Sequence, residues 1–255
     1  MSLVDYDRDG AVALITLNRP PVNALSAELI ADLDASIVEA ADPAVRSVVI
    51  TGTPHFAAGA DITGFQSAFD AGTEDTLASD LGGFVKRFEA LAKPTIAAIR
   101  GFALGGGLEL ALGADFRYLA DDARVGQPEI LLGIIPGAGG TQRLARVVGE
   151  HRSRELCMSG RQVDAAEALA IGLADKVTAP DELVEVAMKD ATRWAKGPTA
   201  AYGAVKRASI GGFGRPLAEG LEVEAEAFRD VFGSADAREG VAAFLEKRKA
   251  AFKGN

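Results

Sequence analysis

Residues 101–111, GFALGGGLELA, set three adjacent glycines at the start of a helical pattern, with Glu109 two positions past the last of them. Each glycine costs about 1 kcal/mol relative to alanine in a helix interior. Three in a row therefore mark a place where something comes too close to the backbone for a side chain to fit. Glu109 lies three residues on from Gly106, about one turn, and so falls on the same helix face. Two readings stay open at this point. One is tight packing of a helix on a strand, with Glu109 exposed. The other is a set of bare N–H donors at a helix N-terminus beside a carboxylate, which suits an enzyme that holds a developing oxyanion and moves a proton next to it.

Working outward, two segments complement the glycine run. Upstream, FAAGADI at 56–62 is another succession of small residues after a strand and a turn. It reads as a plain tight loop or as the source of a second N–H donor opposite Gly106. Downstream, GQPEILLG at 126–133 fixes the backbone with Pro128 just before Glu129 and follows it with apolar or small residues. A carboxylate in such company is either paired or partly desolvated, and desolvation raises its pKa toward the range useful for proton transfer. A helix-start glutamate favoured by the macrodipole is the plainer account. Glu109 and Glu129 together, with no histidine or cysteine partner, suggest acid–base work on water and carbon.

The run GAGGTQRL at 137–144 invites comparison with phosphate loops. No lysine follows its last glycine, and Gln142 stands where a G-x-G-x-x-G motif needs glycine, so it reads as a glycine-rich turn into a helix. The single cysteine, Cys157, in a helical setting, excludes an internal disulfide and suits a reducing compartment. Two histidines, His55 and His151, cannot make a histidine-rich metal site. A net charge of −9 argues against general nucleic-acid binding. No apolar run approaches the roughly 18 residues of a membrane span, and no basic leader opens the chain, so a cytoplasmic protein is expected.

The rest of the chain alternates strand-like and helix-like segments. Ala11 to Leu17, Ser47 to Ile50, Thr95 to Ile99 and Phe116 to Leu119 read as strands, the middle two without polar alternation, as expected of strands covered on both faces. Ser26 is the expected N-cap of a helix through Ala40, with Leu29, Ile30, Leu33 and Ile37 on one face. Gly64 to Asp80 reads as a loop leading into a helix at Leu81 to Leu91. From Asp181 the pattern turns helical: Asp181 to Lys196, Thr199 to Ser209, Pro216 to Phe232 and Ala235 to Phe252. An α/β core followed by a helical region is expected, and the broad apolar faces of the last helices point to a subunit interface. Lys247-Arg248-Lys249 reads either as last-turn cations favoured by the helix dipole or as a phosphate-binding cluster.

Taken together, FAAGADI, GFALGGGLELA, GQPEILLGIIPGAGGTQRL at 126–144 and the C-terminal EGVAAFLEKRKAAF resemble the crotonase (enoyl-CoA hydratase/isomerase) family, from the first strand to the last helix. The resemblance implies an α/β fold, a superhelix of ββα units over residues 1–195, with a C-terminal helical trimerisation region over 196–255. It implies a homo-oligomer, a trimer or dimer of trimers, with no metal and no separate cofactor, coenzyme A being part of the substrate. The N–H groups of Ala60 and Gly106 would form an oxyanion hole, and Glu109 and Glu129 match the hydratase pair. Ala58, Asp61, Ile62 and Thr63 match the stretch along the adenine end of coenzyme A, and Phe228 and Lys247 match further contacts to it, Lys247 reaching from a neighbouring subunit. The activity implied is reversible syn addition of water to a 2-enoyl-CoA in fatty-acid β-oxidation. An enoyl-CoA isomerase and a non-catalytic acyl-CoA-binding relative are the alternatives. The chain departs from the hydratase pattern at Thr63, where a lysine is frequent, and its RPPVNAL at 19–25 is a form also seen in isomerase-type members.

Overall fold

A computed structural model describes residues 2–64, 70 and 74–255. Nine strands are described: β1 (Val4–Asp9), β2 (Val12–Leu17), β3 (Ser47–Gly52), β4 (Thr95–Ile99), β5 (Phe102–Leu104), β6 (Phe116–Ala120), β7 (Arg124–Gly126), β8 (Gln162–Asp164) and β9 (Lys176–Thr178). The first half carries the helices α1 (Ala27–Ala40), α2 (Glu74–Glu89) and α3 (Gly106–Leu112). After them come α4 (Gly140–Val148), α5 (Glu150–Ser159), α6 (Ala165–Ala170) and α7 (Leu183–Ala195), then α8 (Thr199–Gly212), α9 (Leu217–Phe232) and α10 (Ala235–Leu245).

The strands divide between a six-stranded sheet, ordered β1-β2-β3-β4-β6-β9, and a three-stranded sheet, ordered β5-β7-β8. In the larger sheet only β1 and β2 are antiparallel, a hairpin pairing Val4 with Leu17; the others run parallel, with Ile15 beside Ile50 and Ala98 beside Tyr118. β4 and β5, then β6 and β7, are consecutive strands that enter different sheets before a helix follows, so the chain winds as ββα turns. Ala57 joins this pattern by a parallel bridge to Ala103, giving β3 its own short companion in the second layer. Each turn thus places one strand end and one helix start at a common place, which is how distant segments meet at one cavity.

The local chemistry explains the elements. Ser26 caps α1, its hydroxyl accepting from Leu29 N–H at 3.3 Å, and Leu29, Ile30, Leu33 and Ile37 turn inward. β3 and β4 are buried at every residue, as expected of parallel strands covered on both sides. α7 packs across β2, β3 and β4 and closes one face of the sheet. β1, β5, β7, β8 and β9 carry no clear sequence signal, four of the five being three residues long and all of mixed exposure.

Two expected boundaries shift. The helix expected over Leu81 to Leu91 begins by Glu74 and ends at Glu89, so Gly64 to Asp80 is not loop throughout; residues 65–69 and 71–73 lie outside the described residues. The last helix stops at Leu245, not Phe252, because Lys247 takes a left-handed φ of +54°. The tail then folds back: the Asp236 carboxylate accepts from Lys253 N–H at 2.6 Å and Gly254 N–H at 2.7 Å, and Glu239 accepts from Ala251 N–H and Arg248. Lys247, Arg248 and Lys249 are therefore not last-turn cations. α8 and α9 form an antiparallel pair close enough at Gly212 and Gly220 that a methyl on Gly212 would meet Gly220 Cα at 3.4 Å. The outer faces of the last helices stay open, Leu217 being 79% and Phe244 82% exposed. No described helix is long and apolar enough to cross a membrane.

Candidate active site

The three glycines turn out to be needed for three different reasons. Gly107 is a packing glycine: a methyl there would collide with the Ala57 carbonyl, which accepts from Leu104 N–H at 3.1 Å. Gly105 caps α3 at φ +52°, ψ −125°, a backbone only glycine adopts freely, and a methyl on it would stand 3.0 Å from Glu129 Oε1. Gly106 faces the cavity: its missing methyl would lie 3.5 Å from Ala60 N, 2.8 Å from Leu81 Cδ2 and 3.4 Å from Leu25 Cδ1. Packing accounts for Gly107, whereas Gly106 lines the cavity beside the Ala60 amide.

Ala60 is aimed by its neighbours. Leu25 N–H donates to Gly59 O at 2.8 Å and Asp61 N–H donates to Leu25 O at 3.0 Å, a parallel bridge that uses the groups flanking Ala60. The N–H of Ala60 consequently points away from Leu25. Gly106 is the first residue of α3, where an N–H has no acceptor within the helix. Neither N–H donates to another group among the described residues. Two amides on separate turns of the chain thus stand side by side without partners, at a cavity of about 950 Å³ that both line.

Glu109 is buried, 3% exposed, not on the surface. Its Oε1 accepts from Ala138 N–H and Gly140 N–H, each at 2.7 Å. The glycine-rich run at 137–140 is therefore an anion-binding helix start whose anion is a carboxylate of the same chain. Gly140 must lack a side chain, since a methyl would stand 2.5 Å from Gln127 Nε2 and 3.0 Å from Glu109 Oε1. Burial pushes the Glu109 carboxyl above its ordinary range, opposed by the two backbone donors and by the charge of Arg143.

Glu129 sits in a 3-10 turn, Pro128–Leu132, closed by Gly133 in the left-handed region at φ +76°. Burial raises its pKa to about 7, with the neighbouring Glu109 charge adding to the shift. Gln127, fully buried, presents its amide to both Glu129 oxygens at 2.9 and 3.1 Å when its nitrogen is turned toward them. Reversed, the same amide can accept from a protonated carboxyl. Gln127 is a site residue that reading by charge and nucleophilicity passes over. Its signal is position, two residues before Glu129 in a segment locked by Pro128.

The cavity gathers most of the residues singled out from sequence. Ala58, Asp61, Ile62 and Thr63 line one side, Glu109, Glu129, Gly105 and Gly106 the floor, and Leu25, Leu81, Leu131 and Ile135 add an apolar wall. Asp61 is held by Arg19 at 2.6 Å and accepts from the Thr63 hydroxyl at 2.6 Å, hydrogen bonds that keep its carboxyl below the usual range. Phe228 and Lys247 do not line this cavity; Phe228 is 59% exposed and its ring lies tilted against Phe232, centroids 5.1 Å apart. His55 does not line it either, packing instead on Phe102 at 4.7 Å. Cys157, on α5, has its thiol pushed up by burial, with Glu129 and Glu109 contributing. Among the described residues no group of three or more His, Cys, Asp and Glu side chains could hold a metal ion.

Comparison with known proteins covers the whole chain. The family profile described as Enoyl-CoA hydratase/isomerase matches residues 7–255. A Rhizobium meliloti protein described as a probable enoyl-CoA hydratase is 46% identical over 250 residues, covering 97% of this chain and 96% of its own length. A crotonyl-CoA hydratase of Syntrophomonas wolfei is 41% identical, with 96% of each chain covered. Among solved structures, an enoyl-CoA hydratase from Bacillus anthracis superposes with a TM-score of 0.93 at 36% identity, over 99% of this chain and 100% of that one.

Proposed function

The chain belongs to the enoyl-CoA hydratase/isomerase family, and from that premise we propose that it is an enoyl-CoA hydratase, adding water to a 2-enoyl-CoA to give the 3-hydroxyacyl-CoA during fatty-acid breakdown. The observation that carries this reading is the pair of carboxylates at one cavity with opposed surroundings, beside two unpartnered amides. Hydration needs a base for water and an acid for carbon, whereas moving a double bond needs one well-placed carboxyl. The thioester oxygen accepts from Ala60 N–H and Gly106 N–H. Glu109, seated on two backbone N–H donors, takes a proton from water as the oxygen bonds to Cβ. The π electrons move to the thioester as an enolate, whose charge the two amides stabilise. Glu129, protonated up to about pH 7, delivers its proton to Cα. Product release and proton exchange within the pair restore the starting charges. No metal and no separate cofactor is required.

The exposed apolar faces of α8 to α10 support a homo-oligomer, a trimer or dimer of trimers. In such an assembly a second copy would bring Lys247 toward the coenzyme, with Phe228 a further contact, while Ala58 to Thr63 of the first chain lie along its adenine end. Incubation with crotonyl-CoA tests the activity: the enoyl-thioester absorbance falls and 3-hydroxybutyryl-CoA appears. Absence of turnover across short, medium and long 2-enoyl thioesters overturns it. Conversion of a 3-enoyl-CoA to the conjugated isomer without hydration would make the protein an isomerase.

A further inference from the structure

The nest that holds Glu109 is itself held by a side chain that reaches no reacting atom. Arg143, on the first turn of α4, forks onto Glu89 of α2, Nε to Oε1 at 2.9 Å and Nη2 to Oε2 at 2.8 Å. Its remaining Nη1 donates to Ala138 O at 3.1 Å. Ala138 N–H and Gly140 N–H are the two donors to Glu109, so the guanidinium grips the loop from behind at the residue that grips the carboxylate in front. Gly139 lies between, at φ +107°, and a methyl there would overlap Arg143 Nη1. α2 seats against the same loop, since a methyl on Gly82 would stand 3.6 Å from Ala138 Cα. The Arg143–Glu89 pair is mostly buried, at 17% and 25% side-chain exposure, where a bidentate pair has geometric as well as electrostatic value.

We propose that Arg143 is a positioning residue for the hydration reaction, fixing the 138–140 loop against α2 and thereby the seat and the charge of Glu109. This rests on the hydratase reading above. The groups facing Glu109 are Gln127 and Glu129 from the 3-10 turn and its approach, Arg143 from α4 and Cys157 from α5. Arg143 is the one cation among them. Glu89, on the far side of the guanidinium, partly offsets that charge.

The experiment pairs kinetics with a carboxyl titration that needs no activity. In ¹³C-carboxyl-labelled protein, Arg143→Gln is expected to raise the Glu109 titration midpoint by about half a pH unit to one unit. In crotonyl-CoA hydration the same variant lowers kcat roughly 30-fold with KM little changed, and the acid limb of kcat/KM moves up with the midpoint. Arg143→Lys keeps the charge without the fork, so the midpoint stays near its original value while kcat falls. Glu89→Gln frees the guanidinium charge, and the midpoint moves down. A Glu109 midpoint unmoved in both Arg143→Gln and Glu89→Gln overturns the proposal, whatever the loss in thermal stability. If Arg143→Gln does not fold, Arg143→Lys and Glu89→Gln decide it alone. A wild-type protein that hydrates no enoyl thioester defeats the proposed function but leaves the titration arms intact.

Discussion

Glu109 and Glu129 are one side chain type in two differently built regions. Around Glu109 the chain supplies oriented backbone: two N–H groups at 2.7 Å from a glycine-rich helix start, with a guanidinium behind them. Around Glu129 it supplies fewer donors: a 3-10 turn, an apolar wall and one amide, with the Glu109 carboxyl close by. Donors aimed at a carboxylate favour its charged form, whereas burial beside another carboxylate favours the neutral one. On the proposed mechanism, a pair of identical groups would serve as base and acid. The division of labour lies in the loops, not in the residues.

The largest effects expected break the pair outright. Glu109→Gln and Glu129→Gln should each lower kcat about 10³-fold with thioester binding largely retained. They differ in pH behaviour. On the proposed mechanism, the proton that Glu129 would give to Cα is present below about pH 7 and lost as the pH rises through it, so activity of the parent enzyme should fall on that alkaline limb. Rate measurements of kcat/KM against pH check this. An alkaline limb near pH 7 that survives in the residual activity of Glu129→Gln would assign the acid elsewhere.

Two single methyl groups sharpen the comparison at lower cost to the protein. Gly105→Ala intrudes on Glu129 Oε1, 3.0 Å from the added carbon, and strains a backbone at φ +52°. Gly140→Ala intrudes on Glu109 Oε1 at 3.0 Å and on Gln127 at 2.5 Å. Both should lose roughly 10–100-fold in kcat, since displacing a catalytic group by about 1 Å costs on this order. Gly105→Ala should alter the alkaline limb and Gly140→Ala the acid limb. Identical changes in both profiles would mean that the two seats are not separate.

These seats were unequally legible in the sequence. Glycine runs and carboxylates announce themselves, and the strands without polar alternation at Ser47–Gly52 and Thr95–Ile99 carry their own pattern. What a short run cannot state is its partner. The three glycines at 105–107 look alike in sequence, yet one meets Ala57, one Glu129 and one the Leu81 side chain and Ala60 amide at the cavity. The 137–140 run looks like a phosphate cradle missing its lysine, and the anion it binds is Glu109, about thirty positions earlier along a ββα turn. Gln127 and Arg143 have no nucleophilic or acid–base signature; only their placement reveals them. The strands β5, β7 and β8 are three residues long, too short for periodicity to register.

The smallest expected effect concerns stability and bears on Glu129 alone. In the unfolded chain this carboxyl ionises near its ordinary value of 4.5, and in the folded protein near 7. Below the first value it is neutral in both states and costs nothing. Between the two the unfolded chain ionises first, so folding loses stability progressively, and above the second the loss is constant. A raised native pKa thus means stability that is present at low pH and gone at high pH. Glu129→Gln removes the group that must ionise in a dry place, so it should stabilise the fold by about 3 kcal/mol at pH 8 and by little at pH 4. In a chain of this size that is a rise in Tm of a few degrees at the higher pH. Calorimetry at the two pH values reads it directly. A variant equally stabilised at both would show that the gain comes from packing, and the raised native pKa of Glu129 would lose its thermodynamic half.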